Sequence, residues 1–235
     1  MAFVMNVSAQ ESVLLRLNYK KGDSYMMKMK MSQDMGTIMS MDMNMSMKQN
    51  ITSVTGDTYV SEMRIAKIST DISQQGMNMS YDSTKSDDEL DAGGKAMKGQ
   101  MEPMLKAVIT VKGNSIGEIS ETTVVPSVPG TQDMAEQTNN VVYPKKAVRV
   151  GDTWEMTKSN KGMDINFVYK VKSITKMSVL LDISGKVGGI AEGTISGDMK
   201  VDRNSGVPLV SNVNMNMTVQ GQEMITKMTA TMTKQ

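Results

Sequence analysis

The chain has no cysteine and no histidine among its 235 residues, only two phenylalanines and one tryptophan, and 26 basic against 25 acidic side chains. Each shortage removes a class of chemistry. Without Cys or His there is no thiolate nucleophile, no Ser-His-Asp arrangement, no Cys/His zinc site and no disulfide. Catalysis by a carboxylate pair needs two positioned acids, and the spacing of the 25 acidic residues singles out none. The expectation is a protein that is not an enzyme and carries no cofactor. A net charge of +1 gives no long-range field to gather nucleic acid or an anionic membrane, and 4% aromatics leave little to stack on bases. No run approaches the ~18 apolar residues of a membrane-spanning helix, and the aromatic girdles of an outer-membrane barrel are also missing.

Methionine is abundant instead, at 28 residues. Residues 39–47 read MSMDMNMSM, with Met at every second position and polar residues between. The same period of two recurs along the chain. It is carried by Val13, Leu15 and Leu17; by Met27, Met29 and Met31; by Met63 and Ile65, then Ile68; by Ile72, then Met77, Met79 and Tyr81; and by Ile165, Phe167 and Tyr169. Further on, Val179, Leu181 and Ile183 continue it, as do Val213, Met215, Met217 and Val219. A helical stripe would space these residues at three and four, so the pattern predicts a mainly β, antiparallel fold. Turn chemistry separates the runs. Gly22-Asp23-Ser24-Tyr25, Gly56-Asp57-Thr58-Tyr59 and Gly151-Asp152-Thr153-Trp154 share one pattern, a turn, a polar residue and an aromatic opening a strand. The repetition marks two candidate repeat halves, 10–121 and 143–235, joined by a connection over 122–142, within one β-rich domain of residues 10–235.

Two stretches depart from alternation. Residues 85–107 place Met97, Met101, Met104 and Leu105 at helical intervals, which predicts an amphipathic helix laid on a sheet, with Gly99 and Pro103 opposing it. Residues 122–143 contain Pro126, Pro129 and Gly130 and are read as an irregular connection, with a helical turn over 131–140 and the length to act as a flap. At the N-terminus, Ala2 to Met5 followed by Val7-Ser8-Ala9 resembles the end of a signal-peptide core with its small-x-small cleavage pattern. Residues 1–9 are accordingly read as a signal-peptide remnant and the mature chain as a soluble secreted or periplasmic monomer.

The methionines admit two readings. Thioethers are soft donors that suit Cu(I) or Ag(I). Along one strand, however, same-face side chains are about 6.5–7 Å apart, which sets sulfurs in a row and not around one ion. Met also fills apolar positions throughout the chain, where its unbranched, flexible side chain lets a surface repack around different shapes. The favoured reading is a curved sheet whose Met-lined face holds an apolar small molecule or lipid. The candidate wall is Met39, Met41, Met43, Met45 and Met47, with Met27, Met29 and Met31 beside them and Met97 and Met101 on the expected helix. The alternatives are a Cu(I)- or Ag(I)-binding protein, or a structural envelope protein that meets a protein partner through its sheet edges.

The segments LRLNYKKGDSYMMKMKM (15–31), YPKKAVRVGDTWEM (143–156) and GTISGDMKVDRNSGVPL (193–209) resemble a family of secreted bacterial envelope proteins without an assigned activity, of the LolA/LolB/LppX-like half-barrel group. The resemblance runs from residue 11 onward. It implies a large curved antiparallel sheet wrapped around one or two short helices, whose concave face holds lipid or lipoprotein acyl chains. It implies no catalytic residues.

Overall fold

The computed structural model describes residues 11–127, 141–160 and 162–235. The signal-peptide remnant and the helical turn expected over 131–140 lie outside them. The elements in chain order are β1 (Ser12–Val13), β2 (Ser24–Asp34), β3 (Met39–Thr55), β4 (Thr58–Gln74), β5 (Met77–Asp82), α1 (Ala92–Lys106), β6 (Val108–Asn114) and β7 (Ile119–Val125). They continue with β8 (Val148–Arg149), β9 (Thr153–Asn160), β10 (Met163–Ile174), β11 (Ser178–Gly189), β12 (Ala191–Asp202), β13 (Pro208–Val219) and β14 (Gln222–Lys234). One 12-stranded sheet runs β7-β6-β4-β3-β2-β14-β13-β12-β11-β10-β9, with β5 also paired to β4. Every described pairing is antiparallel, and β7 and β9 are edges that do not pair with each other. The sheet is therefore an unclosed barrel. Its two halves, β2 to β7 and β9 to β14, meet at the β2–β14 seam.

Residues such as Ser, Asn and Asp are poor strand formers, so propensity does not explain β3. Alternation does: with a side-chain period of two, only one register keeps every Met on the same face. The break in spacing between Ile65 and Ile68 is a β-bulge. Met47 pairs with Ile65 and Ser46 with Lys67, leaving Ala66 as the extra residue that restores Ile68 to the apolar face.

Hydrogen bonds at one end of the sheet require it to curl. Leu17 N–H donates to Ser115 O (2.7 Å), in the turn after β6, and Asn18 N–H donates to Ser205 O (2.8 Å), in the turn before β13. On a flat sheet β6 and β13 would stand five strand spacings apart, about 24 Å. Two consecutive residues reach both turns, so the carbonyls lie within roughly 9 Å of each other, given the ~3.8 Å step of the chain. This end is spanned by two extended segments, residues 11–19 and 141–149. Tyr143 N–H donates to Ile116 O (2.7 Å) while Trp154 Nε1 on β9 donates to Val142 O (3.0 Å), so the second segment connects the β6–β7 turn to the opposite edge strand. Arg16 ties the two segments together through Pro144 O (2.8 Å) and Lys145 O (2.7 Å).

The alternation read at Val13, Leu15 and Leu17 belongs to this spanning segment. Only Ser12–Val13 forms a strand, paired with Val148–Arg149 outside the main sheet. Val13, Leu15, Leu17 and Tyr19 are nevertheless all buried, because an extended chain laid across a core alternates its side chains whether or not it has ladder partners. The three Gly-Asp turns all sit at this end. Gly22, Gly56 and Gly151 have φ of 91°, 57° and 94°, a left-handed conformation that glycine adopts without strain. The aromatic residues that follow, Tyr25, Tyr59 and Trp154, point into one cluster with Leu15, Leu17 and Tyr143.

Strands β11 and β12 carry glycines in inward register, each opposite a bulky aliphatic: Gly185 faces Ile195, Gly193 faces Val187 and Gly197 faces Ile183. A Cβ at Gly197 would fall on the Asn212 carbonyl, with Asn212 C at 3.0 Å and Val213 Cα at 3.1 Å. At Gly193 it would meet Met217 Cγ at 2.8 Å. Such close backbone approach is how a sheet bends sharply across its concave side.

Candidate functional site

Cross-strand register places the sequence-predicted wall on one face. Met27, Met29 and Met31 of β2 pair with Met47, Met45 and Met43 of β3. On the other side they pair with Met232, Ala230 and Met228 of β14. Directly opposite residues share a face, with Cβ atoms about 4.5–5.5 Å apart. The same face continues through Val213, Met215 and Met217 of β13. It then runs through Ile195 and Met199 of β12, Leu181 and Ile183 of β11, and Ile165 and Phe167 of β10, to Trp154 and Met156 of β9. The opposite face carries Lys28, Lys30, Asp42, Asn44, Ser46 and Lys67. Two shallow grooves of about 320 and 330 Å³ lie among these polar side chains.

Helix α1 covers part of the apolar face. Asp91 caps it by accepting from Gly94 N–H (2.7 Å), and the helix continues through Pro103 despite the lost N–H donor. Gly94 lets it approach β5 closely, since a Cβ there would meet Ser80 O at 2.7 Å. Met97 is buried against Met45, Met47, Ile65, Ile68 and Tyr81, with Met27, Met29, Met43 and Met101 packed around them. The ten predicted wall residues thus divide. Met45, Met47 and Met97 are core; Met27, Met29, Met43 and Met101 are its half-buried margin; Met31, Met39 and Met41 are half-buried outside that cluster.

Burial also changes along the strands. Near the spanned end the inward residues Tyr169, Val171, Met47 and Ile51 are buried. Towards the other end of β10 and β3 the inward residues Phe167, Ile165, Met163, Met43, Met41 and Met39 are half-buried. The accessible part of the apolar face therefore lies towards the β2–β3 and β9–β10 turns.

Sequence reasoning left out the β13 and β14 methionines, which the seam brings next to β2, and it overlooked Lys158. This lysine pairs with Ile165 and shares the inward face with Met156 and Trp154. Burial pushes its ammonium down to about 8. The alternation Trp154, Met156, Lys158 was the signal that could have found it. A second cation in inward register, Lys234, lies at the spanned end, where it contacts Asp23 (2.6 Å). No group of three or more carboxylates that could hold a metal ion occurs among the described residues. No helix among them is long and apolar enough to cross a membrane.

No protein-family model and no curated protein matches the chain. Among solved structures, one described as lipid-protein interactions in lipovitellin is similar, with a TM-score of 0.58 at 8% identity over 92% of this chain. The aligned region is 25% of that chain, so the present sequence spans about a quarter of its length. At this identity the likeness concerns the fold alone.

Proposed function

We propose that the protein is a non-catalytic binding protein for an apolar ligand, a lipid or acyl chain, held against the half-buried methionines at the accessible end of the sheet face. The observation that carries this reading is the apolar face that runs from Met43 on β3 through Met31, Met228 and Val213 across the seam and on to Met156 on β9, incompletely covered by α1 and the spanning segments. Met suits such a wall because it contributes hydrophobic burial comparable to Leu while repacking around varied shapes. The fold shared with lipovitellin, a protein described by its lipid interactions, supports the same ligand class. A secreted or periplasmic location follows from the reading of residues 1–9 and from the envelope-family resemblance.

Native mass spectrometry of protein purified from cells tests this. Co-purifying lipid is expected, and its amount should fall in a Met39→Ser/Met41→Ser variant that keeps its thermal midpoint. Lipid-free protein that also fails to bind a fluorescent fatty acid would overturn the reading.

The register favours one second reading. Met228, Met31 and Met43 are consecutive cross-strand neighbours, all half-buried, so three thioethers stand side by side across the seam. Three soft donors at that spacing suit a Cu(I) or Ag(I) ion. Stoichiometric Ag(I) uptake that is lost in Met31→Leu would establish it.

A further inference from the structure

The chain has 28 methionines and no cysteine, so thioethers are its only sulfur and the groups that a mild oxidant attacks first. The fold sorts them by access. Met45, Met47 and Met97 are buried where α1 meets the sheet, whereas Met31, Met41, Met43, Met224 and Met228 are half-buried towards the accessible end of the inner face. Two polar residues stand among these five. Gln33 and Thr226 pair directly across the β2–β14 seam, and Gln33 pairs on its other side with Met41. The Gln33 amide does not turn to another polar group, because its Nε2 donates to Met224 Sδ. A thioether is a weak acceptor, so this donor is poorly satisfied while Met224 is reduced. An oxygen on the same sulfur would be a strong acceptor, placed beside the amide and on the same face as the Thr226 hydroxyl.

We propose that this patch is a reversible oxidation site in which Gln33 receives the sulfoxide of Met224, and that, on the apolar-ligand reading above, its oxidation releases the ligand. The substrate class is a peroxide. With hydrogen peroxide the sulfur lone pair takes one oxygen, the O–O bond breaks and the other oxygen leaves as water; sulfur loses two electrons and the peroxide gains them. A thiol-dependent sulfoxide reductase reverses the step, the oxygen leaving as water while two thiols become a disulfide. Each sulfoxide sets a dipole into an apolar wall, and an apolar chain lying over it would have to strip its water. The methionines beneath α1 stay reduced, so the sheet keeps its packing while its accessible lining changes polarity.

Limited treatment of the full chain with hydrogen peroxide, read by peptide mass spectrometry, thermal unfolding and fluorescent fatty-acid binding, tests this. Met177, 77% exposed in the turn before β11, should oxidise first, the five patch methionines next, and Met45, Met47 and Met97 only on unfolding. Once the patch is oxidised, fatty-acid affinity should fall about tenfold or more, the scale of desolvating one polar group, and a sulfoxide reductase should restore it. Gln33→Leu should be no less stable than wild type when reduced, and its midpoint should fall further on oxidation. Patch and core methionines oxidising at one rate, or an equal loss of midpoint in wild type and Gln33→Leu, overturns the site. Undiminished affinity after patch oxidation overturns the release. Reduced protein that binds no fatty acid overturns the ligand reading, and the peptide pattern and midpoints then still decide the oxidation site.

Discussion

Gly197→Ala should destabilise the fold, while Gly188→Ala in the adjacent strand should not. At Gly197 the new methyl would overlap the Asn212 carbonyl oxygen and sit 3.0 Å from Asn212 C and 3.1 Å from Val213 Cα, all backbone atoms of β13. Ordinary contact begins near 3.4 Å, so the two carbons alone require a shift of about 0.3–0.4 Å, and the oxygen requires more. None of these atoms can rotate away, because Asn212 pairs with Asp198 and Thr229 within the ladder. Overpacking of this type costs about 1–3 kcal/mol, against a gain of about 0.4–1 kcal/mol from stiffening the unfolded chain. With three backbone atoms overlapped the cost falls in the upper part of that range, about 2–3 kcal/mol, so the net loss is about 1–2.5 kcal/mol, and at ~2–4 °C per kcal/mol for a domain of this size the midpoint should drop by roughly 2–10 °C. Gly188 has nothing within 4 Å of the same added atom, so only the gain applies. Thermal unfolding of both variants by circular dichroism checks the pair. Equal midpoints, or a stabilised Gly197→Ala, would refute the claim that these glycines allow the close backbone approach on which the curvature depends.

Truncating Met45 or Met47 to Ala should cost about 2–5 kcal/mol, since both are buried beneath α1, whereas Met41→Ala should cost less and weaken ligand binding instead; denaturant titration together with fatty-acid displacement separates the two effects. Arg16→Ala removes the contacts to Pro144 O and Lys145 O and should lower stability by about 1–3 kcal/mol, with the fastest gain in hydrogen exchange over residues 141–149. Burial alone would raise Asp23, but the hydrogen bonds from Lys234 Nζ and Lys20 N–H outweigh it and hold the carboxyl below the usual carboxylate range. Its stabilising effect is therefore present above the unfolded value near ~3.9 and is lost as pH falls through the lower folded value. The stability difference between wild type and Asp23→Asn should be full at about pH 6 and shrink towards about pH 2, and a pH-independent difference would contradict the assignment.

The period of two made the strands legible residue by residue, because inward and outward positions differ in chemistry in nearly every one of them. Even the Ile65–Ile68 irregularity was visible as a skipped position, although only the pairing of Ser46 with Lys67 identifies it as a bulge. The alternation of Val13, Leu15 and Leu17 predicts a strand where only Ser12–Val13 forms one, because alternation reports burial on one side and not hydrogen-bonded neighbours. Helix α1 was legible from Met97, Met101 and Met104 and forms despite Pro103, since packing on β4 and β5 outweighs a local preference. The seam was not legible at all. Which strand lies beside β2 depends on contacts between residues some two hundred positions apart, so Met228 and Met232 could not be assigned to the same wall as Met27 and Met31 from spacing alone.

That seam changes how the methionines should be understood. Along β3 the sulfurs form a line too widely spaced to share a ligand atom, as the period of two requires. Across β14, β2 and β3 they stand at strand spacing, and the line becomes a two-dimensional patch. A patch of branched aliphatics on a curved sheet would lock into one packing, with each side chain restricted at χ1. Met retains its rotamers, so the patch can stay filled by its own side chains when empty and yield when a chain enters. The glycines of β11 and β12 lie on the same inner face but have the opposite role, since they fix the backbone curvature and leave no side chain to adapt. Rigid curvature on one side and deformable lining on the other is the division that the apolar ligand proposed above would use, because the methionine patch can accommodate chains of different length and unsaturation.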